Sequence, residues 1–275
     1  MDSRPEDFCF AAVGDVHGHM HRMVRCVQDK AAKARRVPAF VLQVGDFEPH
    51  RHEADLATMS APAKYRHLGD FPAYHAGRAR FPWPVHFIGG NHEPYGFLEQ
   101  QPDGFELVSQ CHYLGRVGVI ELHGLRVVGL SGIHREERFQ TPRPSVSLLG
   151  RVSPKDFISF TEQDVEQALA LERADVLLLH DWPSGIIDPA DAGDFEHQRR
   201  SPSHEAVGNA YARLLVDALR PRLVLCGHLH KPYRGYVRHP TGELTTVCCL
   251  DEVAQGPDSV ALFQVTQAGI RELTG

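Results

Sequence analysis

The sequence has no apolar run approaching the roughly 20 residues that cross a membrane, and no basic segment followed by an apolar one at its start. We therefore expect a cytoplasmic protein without a membrane partner. With 29 basic and 35 acidic residues the formal net charge is -6, so the net charge does not indicate a polyanionic partner. A basic groove on one face remains compatible with this charge.

The six cysteines show no CxxC spacing, which is the pattern of zinc-binding cysteine pairs. Four of them lie within apolar, strand-like segments, so we expect buried free thiols in a reducing compartment. Repeats of fixed period, low-complexity tracts and interdomain linkers are also lacking. The 275 residues are 42% hydrophobic and 23% charged, which predicts one ordinary globular domain over residues 1–275.

Histidine is abundant, with 18 in the chain, and several histidines follow short apolar runs. Runs of this length that end at glycine are typical of buried parallel strands. Five such runs, at 8–13, 40–44, 85–88, 176–179 and 223–226, end in the groups Asp15 and His17; Asp46; Asn91 and His92; His180; and His228 and His230. Functional groups in open α/β sheets lie beyond the carboxyl ends of the strands. We therefore expect the five strand ends to converge on one edge of a parallel sheet.

Imidazole, carboxylate and amide groups in this proportion suit two divalent metal ions, such as Mn, Fe or Zn. No thiolate belongs to the set, which disfavours a structural zinc site. Two ions about 4 Å apart need a bridging carboxylate and can clamp a phosphoryl group between them. Asp46 is the only such group after its strand, so we expect it to be the bridge.

Residues 47–84 carry no strand signal and form a predicted helical or irregular insert over the carboxyl edge of the sheet. Its side chains Lys64, Tyr65, Arg66 and Tyr74 would offer phosphate contacts beside aromatic stacking surfaces. A solvated basic face with aromatic residues in a local core explains the composition equally well. A second segment at 134–160 is charged and proline-rich, which predicts a mobile loop.

The remaining pattern predicts helices at 19–36 and 209–219 and a hairpin of 117–122 with 125–130. Thr161, followed by Asp164, resembles a capping box at the start of another helix. Alternating residues near the end predict short antiparallel strands at 236–237, 244–249 and 260–265.

Taken together, GDVHG at 14–18, GD at 45–46, GGNHE at 89–93, His180 and GHLH at 227–230 resemble the calcineurin-like metallophosphoesterases. The resemblance implies an α/β (α+β) fold, a four-layer sandwich of two mixed β-sheets flanked by helices. It also implies two ligand sets, Asp15, His17, Asp46 and His230 for one ion, and Asp46, Asn91, His180 and His228 for the other. His92 would be the general acid or the group that stabilises the transition state.

A narrower resemblance is to the RNA lariat debranching enzymes, which cleave 2′–5′ phosphodiester bonds in branched RNA. It is carried by GDFE at 45–48, KYR at 64–66, LSGI at 130–133 and HDWPSGI at 180–186. Those enzymes usually have cysteine at the position of Asp15, and a carboxylate there favours harder ions. Residues 134–160 match their lariat-recognition segment by location only. Asp181 would orient a metal ligand from outside, or it would cap a turn.

These observations predict a metal-dependent phosphodiesterase acting on nucleic acid or a nucleotide, with no obligate protein partner evident. One alternative is a phosphomonoesterase or phosphoprotein phosphatase, or a dinucleoside polyphosphate hydrolase, with the same dinuclear site. The residues after Asp46 lack the Asp-Arg-Gly that Ser/Thr phosphatases carry there, which disfavours a phosphoprotein substrate. A non-catalytic scaffold would have lost ligands, whereas every ligand is present in this chain.

Overall fold

Two mixed β-sheets pack face to face in the computed structural model, which describes residues 7–195 and 207–273. The strands of the first sheet are β1 (Phe8–Val13), β2 (Val41–Gln43), β3 (Val85–Phe87), β4 (Phe105–Val108), β5 (Cys111–Tyr113), β12 (Val260–Thr266) and β13 (Gly269–Glu272). Those of the second are β6 (Val117–Leu122), β7 (Leu125–Leu130), β8 (Val176–Leu179), β9 (Leu223–Cys226), β10 (Tyr233–Arg238) and β11 (Leu244–Cys249). The first sheet has the order β13-β12-β1-β2-β3-β5-β4 and the second has the order β10-β11-β9-β8-β7-β6.

Each sheet has a parallel centre and antiparallel edges. In the first sheet β1, β2, β3 and β5 run parallel, and β12 pairs antiparallel with β1. In the second, β7, β8, β9 and β11 run parallel, while β6 and β10 are antiparallel. The four-layer architecture of two mixed sheets is therefore confirmed, as is the hairpin of β6 with β7. The strands near the end are present, but β11 is antiparallel only to β10 and runs parallel to β9.

The expectation that the five strand ends meet on one sheet is wrong. Strands β1, β2 and β3 belong to the first sheet, whereas β8 and β9 belong to the second. An apolar run identifies a buried strand but carries no information about its neighbours. The carboxyl ends still meet, because the parallel centres of the two packed sheets deliver their exits to a common edge.

The central strands bury both of their faces, which explains their continuous apolar sequences. In β1, Phe10 and Ala12 face the second sheet, while Cys9, Ala11 and Val13 face the outer layer. Strand β9 alternates in the same way, with Leu223 and Leu225 between the sheets and Val224 and Cys226 facing outward. All six cysteines lie in the described ranges as free thiols, and five of them are buried.

Helices cover the outer faces of both sheets. Helix α1 (Met20–Ala34) packs on β1 and β12 through Met20, Met23, Val27 and Ala31, which recur at three- and four-residue steps. Helices α6 (Glu162–Leu169) and α7 (Ala210–Leu219) pack on the second sheet. The Thr161 capping box is present, with Asp164 in the role that glutamate usually takes. In the described part of the chain, no helix is long and apolar enough to span a membrane.

Short helices and irregular chain make up the predicted insert at 47–84 and the predicted loop at 134–160. The structure describes all residues of both segments. Residues 47–84 contain α2 (Glu53–Leu56), a 3-10 turn (Ala63–Tyr65) and α3 (Phe71–His75). Residues 134–160 contain α5 (Glu136–Phe139) and 3-10 turns at Val146–Leu148 and Pro154–Asp156. Helix α4 (Tyr95–Leu98) lies between β3 and β4. The mobility of 134–160 stays a prediction.

Candidate metal centre

The strand ends bring the predicted ligands into two overlapping groups. In one group the ligand atoms of Asp15, His17 and His230 lie within 4.8 Å of one another, and in the other those of Asp15, Asp46 and His180 do. Asp15 therefore belongs to both groups, although the sequence predicts Asp46 as the bridge. Both carboxylates are buried, with Asp15 0% and Asp46 1% exposed.

Asp15 ties the end of β1 to the loop after β9. Its Oδ1 accepts a hydrogen bond from the backbone N–H of His228 at 3.1 Å, and its Oδ2 lies 2.9 Å from His230 Nε2. The Nε2 atoms of His17 and His230 are 3.1 Å apart. Two imidazole nitrogens that face each other beside a buried carboxylate fit a shared cation, because a cation satisfies both lone pairs.

Asp46, Asn91 and His180 form the second part of the centre. Asp46 Oδ2 lies 3.5 Å from His180 Nε2, and Asn91 Oδ1 lies 3.1 Å from the same nitrogen. His180 Nδ1 is 2.9 Å from the backbone oxygen of Val44. A proton on Nδ1 donates to that carbonyl and leaves the Nε2 lone pair for a metal ion.

The backbone at the centre is held in the left-handed region, which non-glycine residues seldom adopt. The φ angles are +47° for His17, +52° for Asp46, +57° for Glu48, +67° for His228 and +49° for His230. Each such residue costs on the order of 1–3 kcal/mol and persists only where the surroundings enforce it. The strain is therefore concentrated where the ligands are presented.

Glu93 fixes two of these loops, a role that the sequence analysis did not assign. It is fully buried, and its carboxylate accepts the backbone N–H groups of Phe47 at 2.9 Å, Glu48 at 2.9 Å and Gly90 at 3.2 Å. Burial, with the nearby charge of Asp46, raises the pKa of Glu93 to about 8, against the lowering effect of the three N–H donors. Its place directly after Asn91 and His92 was the available signal.

The carboxylates dominate the electrostatics of the histidines. Burial alone would lower the pKa of His17, but the hydrogen bond to Glu48 and the charges of Asp46 and Asp15 raise it to about 10. Burial is likewise overcome at His180, where Asp46 and Asp15 raise the pKa to about 10. A site that attracts protons this strongly also attracts divalent cations.

A cleft of about 630 Å³ opens beside the first ligand group. Its volume suits a small ligand or part of a larger one. The lining residues are Asp15, Val16, His17, His19, Glu48, Pro62, Lys64, Tyr65, His67, His92, His230, Glu252 and Ala254. His92 thus borders the cleft, and its backbone N–H donates to Asp46 Oδ1 at 2.7 Å.

The predicted substrate contacts in the insert separate into three situations. Lys64 and Tyr65 line the cleft, with the Lys64 ammonium 4.6 Å from the Tyr65 ring centre. Arg66 lines a smaller neighbouring cavity of about 280 Å³. Tyr74 is in the core, 4% exposed and stacked on Phe81 at 4.2 Å, so the geometry does not support its predicted substrate contact.

Asp181 was predicted to orient a metal ligand or, alternatively, to cap a turn. Its contacts are compatible with both roles. Its Oδ1 is 3.6 Å from His228 Nε2. Its Oδ2 accepts hydrogen bonds from the backbone N–H of His134 at 2.7 Å and from Asn209 Nδ2 at 3.0 Å. Asp181 therefore connects a predicted ligand to residues on two other loops.

Comparison with known proteins finds one family and a set of similar relatives. The family model described as calcineurin-like phosphoesterase matches residues 9–232. The lariat debranching enzyme of Arabidopsis thaliana is 28% identical over 93% of this chain and 62% of its own length. The lariat debranching enzymes of Entamoeba histolytica and Schizosaccharomyces pombe are each 32% identical, over 82% and 77% of this chain and 64% and 47% of their own lengths. The chain therefore spans about half to two thirds of these relatives.

We expect Gly90→Ala to disrupt the centre. A Cβ at this position would lie 2.2 Å from Asp46 Oδ1 and 2.7 Å from His180 Nε2, so the ligands must move. Disturbed ligand positions typically weaken metal binding by roughly 10- to 100-fold. Titration calorimetry with Mn²⁺ measures the change. Gly193→Ala is the control, because no heavy atom of residues 7–195 or 207–273 lies within 4 Å of that Cβ. Equal affinities for the two variants would contradict the assigned geometry.

Metal binding should release protons at neutral pH. In the metal-free protein His17 and His180 are protonated at pH 7, because their pKa values are raised to about 10. Ligation requires the neutral imidazole, so about two protons leave and the apparent affinity falls as the pH is lowered. Calorimetry in two buffers of different ionisation enthalpy counts the protons. Heats that do not depend on the buffer would rule out this protonation state.

Proposed function

The chain belongs to the calcineurin-like phosphoesterase family, and we propose that it is a metal-dependent phosphodiesterase acting on nucleic acid or a nucleotide. The observation that carries the proposal is the common cleft. Asp15, His17 and His230 line it together with His92 and with the exposed pair Lys64 and Tyr65. Metal ligands, a proton donor and a phosphate-binding surface thus border one space.

We assign two divalent ions, Mn, Fe or Zn, to the strand ends. Asp15, His17, Asp46 and His230 would hold one, and Asp46, Asn91, His180 and His228 would hold the other. The two observed ligand groups share Asp15 rather than Asp46, and their contact at this buried carboxylate supports two adjacent ions. When bound, the ions neutralise phosphoryl charge and orient the ester. The chain's own residues then supply binding and proton transfer.

His92 is the proposed general acid. Its side chain borders the cleft, and its ring centre lies 5.6 Å from that of His17. A protonated His92 ring donates its proton to the leaving oxygen of the substrate, which stabilises the departing alkoxide. The hydrogen bond from its backbone N–H to Asp46 holds the residue next to the ligands without occupying the ring.

Lys64 and Tyr65 are the proposed nucleotide contacts. Tyr65 is 55% exposed, so its ring can receive a base, and the adjacent ammonium can meet a phosphate. Stacking of one base on an aromatic ring contributes about 1–3 kcal/mol. The similar relatives named lariat debranching enzymes make 2′–5′ branched RNA the first candidate substrate.

Hydrolysis of three substrates by the Mn²⁺-loaded protein tests the function. We expect bis-p-nitrophenyl phosphate to be preferred over p-nitrophenyl phosphate, together with cleavage of a synthetic 2′–5′ branched RNA. Diester hydrolysis that leaves the branch intact would redirect the search to cyclic or linear nucleotides. Preference for the monoester would overturn the proposal in favour of a phosphomonoesterase.

Substitution of His92 separates proton transfer from metal binding. We expect His92→Ala to lower kcat by roughly 10²- to 10⁴-fold, the usual contribution of a general acid, while Mn²⁺ affinity is retained. Asp46→Ala should lose both activity and metal, because it removes a ligand. His75→Ala, at an exposed position in α3, is the matched control. Full activity in His92→Ala would remove the residue from the mechanism.

A further inference from the structure

Two carboxylates lie near the Nδ1 atoms of the histidines in the first ligand group. The Nε2 atoms of His17 and His230 face each other, and His230 Nε2 also faces Asp15. The other ring nitrogen of His17, Nδ1, lies 2.8 Å from Glu48 Oε1. That of His230, Nδ1, lies 3.4 Å from Glu252 Oε2. Both histidines therefore have a glutamate beside Nδ1, and Glu252 also lies 3.7 Å from His17 Nε2.

The second ligand group is supported differently. His180 Nδ1 faces the neutral backbone oxygen of Val44 at 2.9 Å. His228 Nε2 is 3.6 Å from Asp181 Oδ1, and the other oxygen of this carboxylate, Oδ2, accepts two hydrogen bonds from His134 and Asn209, which share its charge. The second group thus has one carbonyl and one shared carboxylate where the first has two glutamates.

Glu48 is built into the structure. It is 2% exposed, and its left-handed backbone, with φ +57°, is held by its own N–H, which donates to Glu93 Oε2 at 2.9 Å. Its second oxygen, Oε2, has no hydrogen-bond partner among the described residues and lies 3.7 Å from Nε2 of the fully buried His50. A strained, buried carboxylate aimed at one histidine indicates a dedicated role.

Glu252 lies in the segment after β11, and a backbone hydrogen bond fixes this segment. The neighbouring Val253 donates its backbone N–H to the Asp15 carbonyl at 2.9 Å, which ties the segment after β11 to the end of β1. The Glu252 side chain is 17% exposed, and its Oε2 lies 3.7 Å from His17 Nε2 as well as near His230. The carboxylate thus adds negative charge next to both histidines.

We propose that Glu48 and Glu252 are positioning residues that make the ion held by Asp15, His17 and His230 the more tightly bound of the two; this rests on the dinuclear site of the proposed function. A carboxylate that accepts the Nδ1 proton fixes the tautomer and the ring orientation and makes Nε2 a stronger ligand. Removal of such a partner typically weakens metal binding by roughly 10- to 100-fold. The two ions should therefore bind in order, the one at His17 and His230 first.

Mn²⁺ titration of the metal-stripped full chain, followed by calorimetry, tests this order. The wild type should bind two ions with separate affinities. In Glu48→Gln and Glu252→Gln, which keep the size of the side chain and remove the charge, the tighter affinity should fall by roughly 10- to 100-fold. The weaker affinity should stay unchanged. The visible spectrum of one equivalent of Co²⁺ should also change, because the orientation of the ligating rings changes.

Glu106→Gln is the matched control. Glu106 Oε1 lies 3.7 Å from His112 Nε2, so this variant removes the same charge from a carboxylate–histidine pair in the first sheet, away from the centre. Neither affinity should change in it. Glu252→Asp keeps the charge and should restore part of the affinity lost in Glu252→Gln, which a purely steric role would not do.

The outcomes distinguish this inference from the proposed function. Two bound ions with both affinities unchanged in Glu48→Gln and Glu252→Gln would overturn the positioning role and leave the phosphodiesterase intact. Loss of the weaker ion alone would also overturn it. A wild type that binds no Mn²⁺, Fe²⁺ or Zn²⁺ would overturn both. If the buried Glu48→Gln variant fails to fold, the partly exposed Glu252→Gln variant decides the question alone.

Discussion

The rest of the site depends on one constraint, the burial of Asp15 and Asp46 close to each other. Two carboxylates that are buried away from water need groups of opposite charge beside them. Without such partners they would strongly destabilise the folded state. In the described chain the ion pairs made by these two carboxylates are with histidines, namely His17, His180 and His230. The carboxylates raise the pKa values of these imidazoles, which favours the protonated rings that compensate the buried charge. The groups that are proposed to hold the metal therefore also stabilise the fold.

Much of the centre is predictable because its ligands sit at fixed steps beyond apolar runs. The strand ends at Asp15, Asp46 and His180 lie where the sequence pattern places them, since a run buried on both faces has a clear local signature. The division into two sheets has no such signature. It is decided where β5 is followed by β6, and strand pairing depends on contacts between distant segments. The left-handed backbone of His17 and His228 is also imposed by the surroundings, because most histidines, like other non-glycine residues, have negative φ angles.

Contacts between distant residues account for the supporting groups that the sequence analysis missed. Glu48 meets His17 only when β1 pairs with β2, and Glu252 meets His230 only when β9 pairs with β11, so neither spacing nor periodicity could reveal them. For Tyr74 the sequence analysis predicted a substrate contact where the structure has a buried core residue. In α3, a helix of five residues, the apolar period is too short to separate a buried ring from an exposed one, and Tyr74 packs in the core while Tyr65 remains exposed.

The carboxylate at position 15 has a physical consequence for the comparison with lariat debranching enzymes, in which the resemblance places a cysteine. The His228 N–H donates to both oxygens of Asp15, at 3.1 and 3.2 Å, and Oδ2 also lies 2.9 Å from His230 Nε2. The Asp15 carboxylate thus connects the end of β1 to the loop after β9, and oxygen ligands favour harder ions than sulfur does. Glu48 and Glu252 add negative charge on the same side of the centre, so the described residues there present oxygen and imidazole groups rather than sulfur.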